Sequence, residues 1–253
     1  TSTLTKLPER EWLVKKSNTM VEKSFLTALI WQIFFFRREA RRQGCSLIFA
    51  PGSTFLSGFR PYVTLSQNML PFEKNESARF RSRITRLRFW GLNLTQSFTF
   101  KRANGLIFLT NYAKDYITKA IHIDKVNTTI IPHGISEYFL NKPKEQKRIG
   151  NYDEKNPYRL LYVSIITVYK HQWKVAKAVA ELRRKGYPVV LDLVGPKTDE
   201  GSALLNPVMK SEDADQKFIF YHGMADKEQL KAFYQQADAF VFASSCENMP
   251  IIL

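Results

Sequence analysis

Short apolar runs, each closed by a turn residue and followed by a longer helical stretch, recur along this chain, and that rhythm limits what it can fold into. Residues 47–50 form such a run and end at Pro51-Gly52; residues 62–66 form a second, 105–110 a third and 128–131 a fourth. The rhythm restarts with apolar runs at 159–166, 189–194, 218–221 and 240–242. Helical stretches are read at 77–102, 111–120, 168–185, closed by Gly186, and 226–236. Strands this apolar, alternating with helices, predict parallel sheets covered on both faces.

Between Leu140 and Tyr158 the chain turns polar, as a linker does. The expected organisation is therefore α/β with two Rossmann-like domains: residues 1–141, a linker over 142–157, and residues 158–253. Charge divides at nearly the same place. Residues 1–150 carry 25 Lys and Arg against 10 Asp and Glu, the whole of the net +15, while residues 151–253 carry 13 of each. Such asymmetry predicts different partners for the two domains.

Several classes lose support. The two cysteines, Cys45 and Cys246, make neither a disulfide framework nor a metal spacing, and fit a reducing compartment. His171 and His222 have no partner at ligand spacing, so no metal site is expected. Nucleic-acid binding would suit the charge, but no recognition motif or stacking face accompanies it. The apolar stretch 25–36 is too short to span a bilayer and is followed by Arg37, Arg38, Arg41 and Arg42, which predicts a buried or interfacial helix. Arg79, Arg83 and Arg86 would share one helical face, with Phe80, Leu87, Phe89 and Trp90 interleaved, a pattern suited to an anionic membrane surface or to a solvated basic face. The ends, Thr1 and Leu253, read as those of a fragment.

In open α/β sheets ligands gather at the carboxyl ends of strands. The segments to examine are then 68–73, 132–134, 164–170, 195–197 and 244–250. The last offers hydroxyls, a carboxylate and backbone amides where a helix should begin, a setting that binds anions or sugar hydroxyls. Alternatively Glu247 caps that helix and Pro250 sits in its first turn.

The run Cys246-Glu247-Asn248-Met249-Pro250 resembles the first half of the signature of family 4 retaining glycosyltransferases, which have the two-Rossmann (GT-B) fold. Ala103-Asn104-Gly105, Ile131-Pro132-His133-Gly134, the stretch from Leu160 to Gln172, Val194-Gly195, His222-Gly223 and Ala237-Asp238 resemble further landmarks of that family in order. The resemblance implies transfer of a sugar, with retention, from a nucleoside-diphosphate sugar to a glycan or lipid-linked acceptor, as in polysaccharide biosynthesis. It implies Glu247 as the catalytic carboxylate. It implies Ser164, Lys170, Gly195, Gly223, Ser245, Asn248, Met249 and Pro250 around the donor, and Gln67 and Asn68 on the acceptor side. No cofactor or metal is implied beyond the co-substrate, and the expected place is cytoplasmic, peripheral at the inner membrane face. Two departures stand out. Ile165 occupies the usual Arg position of the phosphate loop, and Gln67-Asn68 stand where relatives carry His-Asp. The family's second Glu would fall beyond Leu253, so the fragment alone is expected to be inactive. A sugar-nucleotide epimerase of the same fold is the alternative.

Overall fold

A computed structural model describes residues 2–5, 7–140 and 144–252, and bears out the α/β expectation with parallel sheets. The domain border drawn at 141/142 lies outside the described residues, as do Lys142, Pro143 and Leu253. The chain divides into two compact units: Thr1–Asn68 with Trp90–Ile131, and Met69–Phe89 with Pro132–Leu253.

The first unit opens with short helices α1 (Ser2–Thr5), α2 (Thr19–Lys23), α3 (Phe25–Ile30) and α4 (Phe36–Arg42), the last two joined by a π-helical turn, Trp31–Phe35. The expectation of a buried helix here is not met. Phe25, Leu26 and Phe34 are exposed, and only Ala40 of α4 is buried. Four parallel strands follow in spatial order: β1 (Ile48–Ala50), β2 (Tyr62–Ser66), β3 (Gly105–Phe108) and β4 (Asn127–Ile130). Cover on both faces holds best for β2 and is partial for β1 and β4, where exposed residues alternate with half-buried ones and none is buried.

The long helix read at 77–102 is two pieces. The short α5 (Lys74–Ser77) is separated from α6 (Arg83–Arg102) by residues 78–82. Ser82 causes the restart: its Oγ accepts the Thr85 N–H (3.2 Å), satisfying a donor that α6 cannot satisfy internally. Arg79 therefore lies outside the helix and does not share a helical face with Arg83 and Arg86. Helix α7 (Asn111–Ile121) is capped by Thr110 and buries Ala113, Ile117 and Ile121, one face at i, i+4, i+8. No helix among the described residues is long and apolar enough to cross a membrane.

The second unit carries β5 (Tyr158–Val163), α8 (Gln172–Arg184), β6 (Val189–Val194), α9 (Asp199–Glu212), β7 (Ile219–Gly223), α10 (Lys227–Gln236) and β8 (Ala239–Phe240). Its all-parallel sheet has the order β7-β6-β5-β8, which places β5 and β6 centrally. Every residue of β6 is buried. Leu191 and Leu193 pack with Tyr162, Val179, Leu205 and Ile219 in one core. Asp192 tolerates burial because Arg159 grips it with two nitrogens (2.8–3.1 Å) and His222 Nε2 meets it at 2.7 Å.

Asp238, at the entry to β8, ties the polar segment after residue 143 to this unit. Its carboxylate accepts from Arg159 N–H (2.9 Å), Lys144 Nζ (2.7 Å) and Tyr152 O–H (3.0 Å), and its carbonyl accepts from Gln146. Burial alone would raise the carboxyl pKa, but these hydrogen bonds outweigh it and hold the group below the usual aspartate range. The carboxylate's contribution is thus fully present above the unfolded value of about 3.9 and is lost as pH falls through the lowered folded value. Asp238→Asn is expected to cost roughly 2 kcal/mol at pH 7, the scale of bonds to a charged acceptor. Urea titrations across pH should show the gap between variant and parent narrowing as pH falls below about 4. A constant gap would mean that the ionised carboxylate is not what holds the segment.

Candidate functional site

The strand ends of the second unit converge as the strand-end rule anticipates. The Ser164 N–H donates to Val194 O (2.9 Å) and the Gly195 N–H to Gly223 O (2.7 Å), so Ser164, Gly195 and Gly223 stand side by side past β5, β6 and β7. Two of them need to be glycine, Gly195 at φ +135° and Gly223 at φ +73°. Residues 168–170 make a 3-10 turn, and His171, at φ 57°, breaks it from α8. The single helix read at 168–185 is therefore two elements, and the left-handed residue between them sets the direction of Lys170.

Lys170 is buried (side chain 8% exposed) and its Nζ is paired with Glu247 Oε1. Ser244 Oγ donates to the same carboxylate oxygen (2.6 Å), and Phe242 and Tyr169 lie beneath the ammonium at 5.1 and 5.4 Å. The Tyr169 carbonyl accepts the Ser245 N–H (2.9 Å), which seats 244–247 against the turn that carries Lys170. No helix is present at 244–252 among the described residues.

Ser245 leads to a group that sequence reasoning missed. Its Oγ donates to Glu76 Oε2 (2.7 Å) and meets His171 Nε2 at 3.0 Å. Arg79 pairs with Glu76 (3.2 Å) and faces both His171 ring nitrogens (3.3 and 3.4 Å). Burial first, then the Arg79 charge, pushes the His171 pKa below its ordinary value, so the ring is neutral at pH 7. Burial also pushes up the Cys246 thiol. It is a packed residue here, not a nucleophile.

The remaining expected site residues have other surroundings. Met249 Sδ accepts the His133 N–H (3.2 Å). Asn248 and Pro250 are half-buried within the same run. Gln67 and Asn68 lie exposed at the carboxyl end of β2, in the other unit, with the Gln67 N–H directed at Ser53 Oγ (3.4 Å). Ile165 is 40% exposed. A cavity of about 990 Å³ lies elsewhere in the second unit, lined by Ile135, Leu140, Leu230, Tyr234 and Ile252, and touches neither Lys170 nor Glu247. No cluster of three or more His, Cys, Asp or Glu suited to a metal ion occurs among the described residues.

The second unit is thus a parallel Rossmann-like unit of the α/β class, with a buried Lys–Glu pair and clustered hydroxyls at its strand ends. Comparison with known proteins narrows that class. Residues 137–253 match the family described as "Glycosyl transferases group 1". Among solved structures, the chain is similar to the sucrose-phosphate synthase of Thermosynechococcus elongatus (18% identity, TM-score 0.63, covering 91% of this chain and 58% of that one). It is similar to Anabaena HepE in complex with UDP and glucose (14%, 0.55, 90% and 58%). It is also similar to a TarM mutant of S. aureus in complex with fondaparinux, alpha-GlcNAc-glycerol and UDP (12%, 0.58, 81% and 38%). At these identities the likeness shows a shared fold, and the chain spans between 38% and 58% of those proteins' lengths. No curated protein matches the chain in sequence.

Proposed function

We propose that this chain carries the donor-handling part of an enzyme that moves a sugar from a nucleoside-diphosphate sugar to a glycan or lipid-linked acceptor, with retention at the anomeric carbon. The observation that carries the reading is the Lys170–Glu247 pair, braced by Ser244, at the carboxyl ends of β5 and β8 beside the start of α8. The match of residues 137–253 to a glycosyltransferase family supports it, and so do the UDP and sugar complexes named for structures of the same fold.

Each residue then has a task. Gly195 and Gly223 leave room at the strand ends for the nucleotide, with Ser164 beside them. Glu247 and the amides of Asn248 and Met249 orient the sugar, with Ser245 and Pro250 shaping the turn. Lys170 fixes Glu247 and adds positive charge where the diphosphate departs, so protein groups take the part a divalent cation plays elsewhere. The bond from the anomeric carbon to the diphosphate breaks, the acceptor oxygen bonds to that carbon, and the acceptor proton leaves with the diphosphate. Gln67 and Asn68 hydrogen-bond the acceptor; neither amide can act as a base. Action on the cytoplasmic side of a membrane is part of this reading.

The test is a screen of the full-length protein with UDP-, GDP- and ADP-sugars and with glycan and lipid-linked acceptors, scoring released nucleoside diphosphate and the glycosylated product. Transfer with the donor's anomeric configuration kept is the expected result. An inverted product removes retention. Conversion of the donor to its epimer replaces transfer with epimerisation, and no turnover of any nucleotide sugar overturns the proposal.

A further inference from the structure

The charge at the site does not balance with the residues assigned so far. Lys170 is 8% exposed, and its ammonium is engaged by Glu247. A nucleoside-diphosphate sugar brings further negative charge, and burying it beside a neutral pair is costly. An accessible cation of the cluster is Arg79, whose side chain is 34% exposed although it pairs with Glu76. It comes from a distant part of the sequence and is fixed from both sides. Before it, Glu76 bonds Ser245 Oγ. After it, Phe80 is buried, packs on Phe89 (5.1 Å between ring centroids) and approaches the Tyr169 ring (6.5 Å), while the Ser82 N–H donates to Glu200 (3.0 Å). The guanidinium lies against His171, the residue after Lys170, with the two amino nitrogens at 3.3 and 3.4 Å from the ring nitrogens. A guanidinium presents its donors as a rigid fork that matches phosphate oxygens, which Lys170 as a point charge does not.

We infer that Arg79 binds the diphosphate of the donor, supplying an accessible cation with a forked set of donors, and that Glu76 holds its guanidinium in place. The inference rests on the proposed nucleotide-sugar reading and adds a residue from outside the strand-end loops. The neutral His171 ring fits this role, since it carries no charge to repel Arg79 and has one ring nitrogen able to accept from it.

The experiment measures binding of UDP, or of GDP or ADP where the full-length protein prefers it, and of the corresponding nucleoside, to the parent protein and to Arg79→Gln, Arg79→Lys, Glu76→Gln and Arg81→Gln. Arg79→Gln is expected to weaken the diphosphate roughly 10- to 100-fold, the scale of a charge-assisted contact, and to leave the nucleoside within about twofold. Arg79→Lys should fall between parent and Arg79→Gln, and the exposed Arg81→Gln should match the parent. Equal losses of diphosphate and nucleoside, no loss, or a Glu76→Gln loss as large as that of Arg79→Gln overturns the inference and leaves the nucleotide-sugar reading standing. A parent protein that binds no nucleoside diphosphate overturns both.

Discussion

Gly195→Ala is expected to destabilise the second unit by about 3 kcal/mol or more, because it adds backbone strain to a steric clash. A Cβ built at Gly195 lies 2.2 Å from Ser164 O and 2.7 Å from Ser164 C, and the residue sits at φ +135°. The obstacle is backbone, so no rotamer change relieves it. Two other glycines separate the contributions. Gly201, at the start of α9, has no unusual φ, yet its Cβ would lie 2.1 Å from Ile166 O. Gly186 has φ +85° and nothing within 4 Å. Gly186→Ala should therefore cost only about 1 kcal/mol, the strain of a non-glycine residue in the left-handed region. Gly201→Ala reports the clash alone, and Gly195→Ala reports both. By the usual conversion for chains of this size, Gly195→Ala should melt roughly 6–12 °C below the parent. A melting temperature within about 2 °C of the parent would contradict the close approach of the two loops. Function should suffer with stability. The squeezed segment, 164–167, leads into the turn that carries Lys170, and Ile166 O is fixed from the other side by the Thr198 N–H (3.0 Å) and Oγ1 (3.1 Å). Pushing Ser164 and Ile166 away from β6 and α9 shifts Lys170 relative to Glu247.

What could be read from the sequence follows from how local each signal is. Strands β2 and β6 have the bounds their apolar runs predict, because a continuous run closed by turn residues needs no distant information. The apolar run 240–242 is offset from β8, whose register with β5 covers Ala239 and Phe240, although the Val241 N–H still donates to Leu161 O (2.8 Å). Helix α9 escaped notice because Gly201 and Pro207 interrupt its pattern. Gly201 is there for its contact with the β5 loop, a tertiary demand that overrides propensity. At the site, Lys170 and Glu247 were legible from the strand-end rule together with the family resemblance. Glu76 and Arg79 were not. Arg79 meets His171 across 92 residues, and no local period encodes such a contact. The arginines of 79–88 suggested one helical face until Ser82 proved to start the helix after Arg79.

The Lys170–Glu247 pair should show strong thermodynamic coupling and a separation of stability from activity. Glu247→Gln leaves the Lys170 ammonium, 8% exposed, without its counter-charge. Stranding a charge of this kind costs about 3 kcal/mol, the low end of the range for buried pairs, since Glu247 is itself 24% exposed and water reaches its side of the pair. Lys170→Met costs less, about 2 kcal/mol. The carboxylate it leaves behind is more exposed and keeps the Ser244 hydrogen bond, while the methionine still packs on Tyr169 and Phe242. The double variant removes both charges and leaves nothing stranded, so it should be more stable than Glu247→Gln alone, with a coupling energy of about 3 kcal/mol. Urea denaturation of the four proteins gives this cycle directly. Activity should not follow the same order. Both single variants and the double variant are expected to lose at least roughly a hundredfold in kcat/KM for sugar transfer, the scale of removing one stabilising group from a transition state. A coupling energy below about 0.5 kcal/mol would mean that the two side chains act independently, and that the pair does not organise the site. Recovery of transfer in the double variant would show instead that the pair serves folding alone, and would move the chemistry to the Glu76–Arg79–His171 side of the cluster.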